Sequence, residues 1–364
     1  MNNNIVTSSG LIIDNLEHIR VRPELYIRTV PGHYIWQEVA IYDMLRHIID
    51  NSVDEFRLGH GNTIEVSIDL CLTGVTVRDY GNGIPLDELL TLTTKCGASL
   101  RKPVGEESNR GFGLKVVNAL CEEFRVKSHI DGTMREVVFE KGKLISDTTE
   151  QTTEQNGAFI EFRPDNSKFY KFIYHPHAVR QLLYDCCCFN VGLKIKYNDE
   201  VFESKNGIAD FLKFRTKGKL QYEPILLKGK NIEIAFSHTW QENEQYYSFV
   251  NGHYTFHGGQ HLDALEDYLA PVIGQLCSSY THSTLRKGLT AVISLHLEKP
   301  VYCDSCRFRL GNMNMDSGVR IDKYVRSFLN ETLRKRLSEG YESKGYIQNL
   351  SFDNEESDRR LFVF

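Results

Sequence analysis

Apolar and polar positions follow two rhythms along the chain, and each change of rhythm marks an element. From about Ile35 to Leu58, Ile41, Met44, Leu45, Ile48, Ile49 and Phe56 recur with the helical period, and Gly59 and Gly61 stop the run. At roughly 100° per residue, His47, Asn51, Asp54 and Glu55 share a polar arc beside that apolar face. The period then shortens to two. Ile64, Val66 and Ile68 predict one strand, Val75 and Val77 a second. The second strand runs into Asp79-Tyr80-Gly81-Asn82-Gly83-Ile84-Pro85, which suits neither regular element. A polar stretch from Thr93 to Asn109 reads as a loop, after which Gly111-Phe112-Gly113 opens a helix reaching about Glu122.

Turn dipeptides organise the next stretch of chain. Asp131-Gly132 joins a hairpin, and Asn156-Gly157 precedes a strand from Ala158 to Phe162. A helix from about His177 to Phe189 leads to a strand at Leu193 to Tyr197. From Lys213 to Tyr222 the chain turns basic and loop-like, and a fresh β-rich block begins at Ile225. It closes with a helix from about Val319 to Leu337. The pattern predicts an α+β chain in three regions: 1–215, 216–340 and a polar tail at 341–364.

Composition narrows the function classes. With 41% hydrophobic and 25% charged residues, the 364-residue chain resembles ordinary globular proteins, and its net charge of −5 excludes an overall basic, nucleic-acid-coating footprint. Basic clusters at Lys213, Arg215, Lys217 and Lys219, and at Arg334, Lys335 and Arg336, are local and read first as solvated faces. The opening MNNNIVTSSG has no signal-peptide character, and no stretch approaches a membrane span. Nine scattered cysteines suit a reducing cytoplasm, and the single CxxC at Cys303 and Cys306 lacks the second ligand pair of a zinc site.

The candidate chemistry lies in the first region. An aspartate ending an apolar strand can accept a hydrogen bond from an adenine amino group, and Gly81 and Gly83 let the backbone approach a flat base. Gly111 and Gly113 at a helix start offer bare N–H groups and a positive dipole end to phosphates. Each signal alone is common. Their order is specific: acidic and amide helix, strand-Asp-x-Gly-x-Gly, polar loop, Gly-x-Gly helix.

That order resembles the GHKL ATPases, and within them the B subunits of bacterial gyrase and topoisomerase IV. Arg22 to Ile27 is similar to the family's RPxMYI, Asp50 to Glu55 to its DNxxDE helix, and Val77 to Pro85 to its V-x-D-x-G-x-G-I-P strand. Val116 to Leu120, Tyr247 to Asn251, Gly258 to His261 and Arg286 to Ala291 match further segments, so the likeness runs to about residue 337. It implies a GHKL (Bergerat-type) α/β sandwich followed by a transducer domain of ribosomal-protein-like α/β fold. It also implies ATP and Mg2+ as ligands, with Asn51 on the magnesium and Asp79 on adenine. Gly81, Gly83, Ile84 and Pro85 would flank the base, while Gly111, Phe112 and Gly113 cradle phosphates. Asp54 and Arg135 match pocket-lining positions.

Departures from the family are equally specific. His47 stands where the general-base glutamate is expected, one turn before Asn51. Ser305-Cys306-Arg307 replaces a Gln-Thr-Lys loop whose lysine reaches the terminal phosphate, so Arg307 is the phosphate-sensing candidate. Ala158 replaces the threonine supporting the aspartate. The lid reads Ser108-Asn109-Arg110, leaving Arg101, Lys102 or Arg110 to supply positive charge. Hydrolysis is therefore expected to be weak or lost.

Two readings stay open. One is the ATPase and transducer region of a B subunit: an ATP-promoted homodimer clamping double-stranded DNA beside an A-type subunit, in the bacterial cytoplasm at the nucleoid. The other is a binding module that holds nucleotide without turnover and modulates a true topoisomerase. A chaperone or histidine-kinase relative sharing only the first domain is disfavoured by the second-domain match. The likeness stops before a B subunit's metal-binding region, so these residues alone are not expected to cut DNA. Residues 1–15 lack the tyrosine with which the family's arm touches the partner's nucleotide.

Overall fold

A computed structural model describes residues 5–6, 12–13, 15–27, 36–95, 112–276, 280–303, 307–339 and 347. Short elements lead: β1 (Ile5–Val6) pairs antiparallel with β2 (Ile12–Ile13), followed by α1 (Asn15–Val21) and a 3-10 turn at Pro23–Leu25. The long helical rhythm becomes α2 (Trp36–Arg57), whose Ile41, Met44, Leu45, Ile48 and Ile49 are fully buried. After it come β3 (Thr63–Ile68), β4 (Val75–Asp79), α3 (Leu89–Thr94) and α4 (Phe112–Leu120). Then follow β5 (Cys121–Ile130), β6 (Thr133–Glu140), β7 (Lys143–Gln151), β8 (Gly157–Pro164), α5 (Pro176–Cys188), β9 (Lys194–Tyr197) and β10 (Glu200–Phe202).

The strands form an eight-stranded sheet in the order β10-β9-β3-β4-β8-β5-β6-β7. All pairs are antiparallel except β3 with β9. Helices α2, α4 and α5 pack against it, and the strands alternate buried and partly exposed residues as a one-sided sheet requires. The expected Asp131-Gly132 hairpin joins β5 to β6 through two left-handed residues, φ 48° and 80°. Strand β7 has no counterpart in the apolar pattern. Nearly every residue in it is exposed, so it carries no apolar alternation, and main-chain pairing with β6 alone defines it.

The chain divides into two compact units, Met1–Ser204 and Lys205–Phe364. The second contains α6 (Ile208–Arg215), β11 (Ile225–Lys228), β12 (Ile232–His238), β13 (Gln245–Val250), β14 (His253–Tyr254) and α7 (Gln260–Leu276). Helix α8 (His282–Arg286), β15 (Leu289–Leu295) and α9 (Ile321–Glu339) complete it. Its sheet runs β11-β12-β15-β13-β14, with β13 and β15 parallel, and α7 and α9 pack on each other and on the sheet. The mixed α+β architecture is the one expected.

Lys213 and Arg215 differ from the loop assignment: both lie on α6, which buries Ile208, Phe211 and Leu212. The Phe211 ring meets Tyr247 and Phe249 edge-on at 5.3 and 5.2 Å. The helix thus belongs to the second unit, and the break falls at 204/205 where the sequence suggested 215/216. Two turns are too few for a clear periodic signal.

Two histidines in this unit make its stability pH-dependent. His238 is fully buried, its Nδ1 2.7 Å from the Tyr222 hydroxyl and its Nε2 2.8 Å from the Leu285 carbonyl. Burial pushes its pKa down to about 4. His261, also fully buried, is pushed to about 3, chiefly by burial and further by the Arg309 charge. Both protonate near 6.5 when unfolded, so the stability they lend is complete above that value. It is lost as pH falls from about 6.5 through 4 and on to 3, at up to about 1.4 kcal/mol per pH unit per histidine. Urea unfolding of the second unit should show its midpoint falling between neutral pH and pH ~5, where carboxylates remain ionised. A constant midpoint would contradict the burial argument.

Candidate functional site

In the first unit, α2, β4 and β8 converge on Asp79, which is 3% exposed. Its Oδ1 accepts hydrogen bonds from the backbone N–H groups of Gly81 and Ala158, both at 3.1 Å. Its Oδ2 accepts from the Ser52 hydroxyl at 2.8 Å. Burial pushes the Asp79 pKa up, and these three hydrogen bonds oppose it; the Glu55 charge adds to the rise. The Ala158 backbone N–H and the Ser52 hydroxyl thus hold the carboxylate with no side-chain hydroxyl at position 158.

Close approach explains the glycines. A Cβ at Gly157 would lie 2.2 Å from the Asp79 carbonyl, and one at Gly83, φ 81°, would lie 2.8 Å from the His129 carbonyl. The turn from Gly81 to Leu86 is pinned from three directions. Glu55 Oε2 accepts from the Asn82 N–H at 3.2 Å and meets His60 Nδ1 at 3.1 Å. The buried Ser128 hydroxyl accepts from the Ile84 N–H at 2.9 Å and donates to the Ile84 carbonyl at 2.6 Å. Beyond Pro85, Arg135 donates to the Leu86 carbonyl while gripping Asp147 with two hydrogen bonds, 2.9 and 2.7 Å. Arg135 therefore braces the turn.

On α2, one turn before Asn51, the His47 side chain is 23% exposed. Its Nε2 lies 3.8 Å from Asp43 Oδ2, and Phe112 meets its ring edge-on at 6.4 Å. A Cβ at Gly113 would come within 2.9 Å of His47 Cβ, so glycine lets the start of α4 seat against the histidine. Asn51 is half-buried, and no hydrogen bond to its side chain is found among the described residues. Asp54, partly exposed, lies 3.8 Å from Arg57 on the same helix. Gly111 and the lid cations Arg101, Lys102 and Arg110 lie outside the described residues.

Beside α2, Asp79 and Gly81 meet at the end of β4 under Ser52, and one turn before Asn51 on the same helix His47 meets Phe112 and Gly113 at the start of α4. Sequence reasoning missed Ser52, Ser128 and Asp147. A serine inside the apolar register of β5 was the available sign for Ser128; the other two carried none. Chemically, α2 carries an amide and an imidazole between a locked carboxylate acceptor and a helix start. Arg307 lies in the second unit, 2.7 Å from His253 Nε2 and over the Tyr302 ring at 5.8 Å; Ser305 falls outside the described residues.

Comparisons with known proteins agree on both units. The family described as "DNA gyrase B" matches residues 207–360, and "Histidine kinase-, DNA gyrase B-, and HSP90-like ATPase" matches 37–167. The chain is 36% identical over 335 residues to the DNA topoisomerase 4 B subunit of Borreliella burgdorferi, covering 90% of this chain and 55% of that protein. It is 27% identical over 349 residues to the DNA gyrase B subunit of Thermotoga maritima, covering 85% and 54%. The chain spans about half the length of the curated relatives it matches. Among solved structures, it is similar to the 43K ATPase domain of Thermus thermophilus gyrase B in complex with an aminocoumarin. That likeness has a TM-score of 0.70 and 25% identity, and covers 96% of this chain and 98% of the other.

Proposed function

The chain belongs to the family of gyrase B and topoisomerase IV B subunits, whose ATPase and transducer regions it carries, and on that premise we propose that it binds ATP to close a dimeric clamp on double-stranded DNA. The observation that carries this reading is Asp79: buried, with Oδ1 saturated by two backbone donors and Oδ2 turned to Ser52, it is a fixed acceptor for an adenine amino group. The phosphates would then run towards α4, where the Gly113 N–H and the positive helix end favour anions. The Asn51 amide oxygen, a hard donor with no partner among the described side chains, fits Mg2+ held mainly by phosphates and water. When bound, that ion would neutralise phosphate charge.

By its place in the Ser305-Cys306-Arg307 loop, Arg307 is the candidate phosphate-sensing residue. Hydrolysis is slow on this reading, because His47 replaces a carboxylate base, at a cost on the order of 10²–10⁴-fold. The same substitution favours a second reading, a nucleotide-holding module that modulates a complete topoisomerase. An A-type partner and a cytoplasmic, nucleoid-associated setting complete the first reading; no described helix is long and apolar enough to cross a membrane.

Light scattering with a non-hydrolysable ATP analogue and magnesium tests the clamp. The expected result is a monomer that becomes a dimer with analogue and stays monomeric with ADP. A mass unchanged by saturating analogue would remove the clamp.

A further inference from the structure

Arg307 is half-buried and its backbone is left-handed, φ 60°, a conformation that a non-glycine residue keeps only where its surroundings fix it. The residues after it supply that fixing. The His257 N–H donates to the Phe308 carbonyl at 2.9 Å, and the Leu310 N–H donates to the Gly258 carbonyl at 2.9 Å. Arg309 Nη1 donates to the His257 carbonyl at 2.8 Å. The stretch 308–310 is therefore bound along its backbone to the loop that follows β14.

The guanidinium has a partner of its own. Arg307 Nη1 lies 2.7 Å from His253 Nε2. An arginine can only donate, so Nε2 accepts, and the neutral imidazole carries its proton on Nδ1. The Tyr302 ring lies 5.8 Å from the guanidinium carbon. His253 is itself firmly placed, on β14 directly after the Asn251-Gly252 turn. Both turn residues are left-handed, φ 52° and 78°, as a two-residue hairpin turn requires. The Asn251 side chain pins that turn, donating to the Leu297 carbonyl at 2.8 Å and accepting from the Leu297 N–H at 2.9 Å.

We propose that His253 is the positioning residue for Arg307, aiming the guanidinium at the terminal phosphate of a bound nucleotide. This rests on the reading of Arg307 as the phosphate-sensing residue. A lysine in that role is a compact point charge with little to orient. A guanidinium is a planar fork that grips two phosphate oxygens only when its plane and edge are set beforehand. One N–H spent on a fixed imidazole nitrogen sets them and leaves the other edge of the fork for the anion. A neutral acceptor does this without cancelling the positive charge, which a carboxylate in the same place would do.

The experiment titrates the whole chain with a non-hydrolysable ATP analogue and with ADP, both with magnesium, and reads the preference for the analogue. The variants are His253→Ala, His253→Gln, Arg307→Ala and His253→Ala/Arg307→Ala, with thermal melting of each. Arg307→Ala should lower the preference about ten-fold and His253→Ala about three- to five-fold. Glutamine, whose side-chain oxygen can accept in place of Nε2, should keep the preference within about two-fold of wild type. In the Arg307→Ala background, His253→Ala should cost nothing further. A histidine that only supports the fold would weaken both ligands alike and lower the melting temperature. An unaltered preference in His253→Ala, the same drop with and without Arg307, or a folded His253→Gln lacking the preference overturns the pairing while the phosphate-sensing reading of Arg307 stands. A preference unchanged in Arg307→Ala, or none in the wild type, removes that reading and the pairing with it.

Discussion

Asp79→Asn should weaken ATP binding by about 10²-fold, the largest effect expected of a single substitution at the base end of the site. The reason is positional. The two backbone N–H groups of Gly81 and Ala158 both point at Oδ1, so an asparagine must keep its carbonyl oxygen there. Its NH2 then occupies the Oδ2 position, where the Ser52 hydroxyl can rotate to accept but an adenine amino group meets donor with donor. Fold and turn geometry survive, because the Oδ1 contacts are retained. Calorimetric titration checks this, with thermal melting to confirm folding; wild-type affinity in Asp79→Asn would mean that Asp79 does not read the base.

The second large effect concerns turnover. His47→Glu should raise hydrolysis on the order of 10²-fold at unchanged analogue affinity, because a carboxylate at that point of α2 can abstract the water proton without acquiring net charge. Asp43 limits the gain, because two carboxylates across one helical turn repel. The double replacement Asp43→His/His47→Glu keeps one acid and one imidazole, removes that conflict, and should exceed the single variant. Steady-state ATPase rates with magnesium decide it. Rates equal to wild type in both variants would mean that the identity of residue 47 does not limit hydrolysis.

How legible the site was in the sequence depends on what each part rests on. The helix with His47 and Asn51 and the strand ending at Asp79 were readable because apolar period and glycine spacing are local properties. Strand β7 was not, since its residues carry no buried face and only the neighbouring β6 specifies it. Helix α6 was hidden by its brevity and by Lys213 and Arg215 at its end. The supports of the site escaped for a different reason. Ser52 and Asp79 are 27 residues apart, and Ser128 meets Ile84 across 44, so no local window contains either contact. Ala158 shows the converse: its side chain suggested a weakened aspartate, yet its backbone N–H supplies the bond.

The proposed ATP site of the first unit rests on Asp79 and the start of α4. Titrating the whole chain with a non-hydrolysable ATP analogue and magnesium in a calorimeter tests it most directly. Saturable binding at one site per chain, tighter than millimolar, stronger for the adenine than for the guanine nucleotide and diminished in Asp79→Asn, is the predicted result. No binding at millimolar nucleotide to the folded wild-type chain would contradict it.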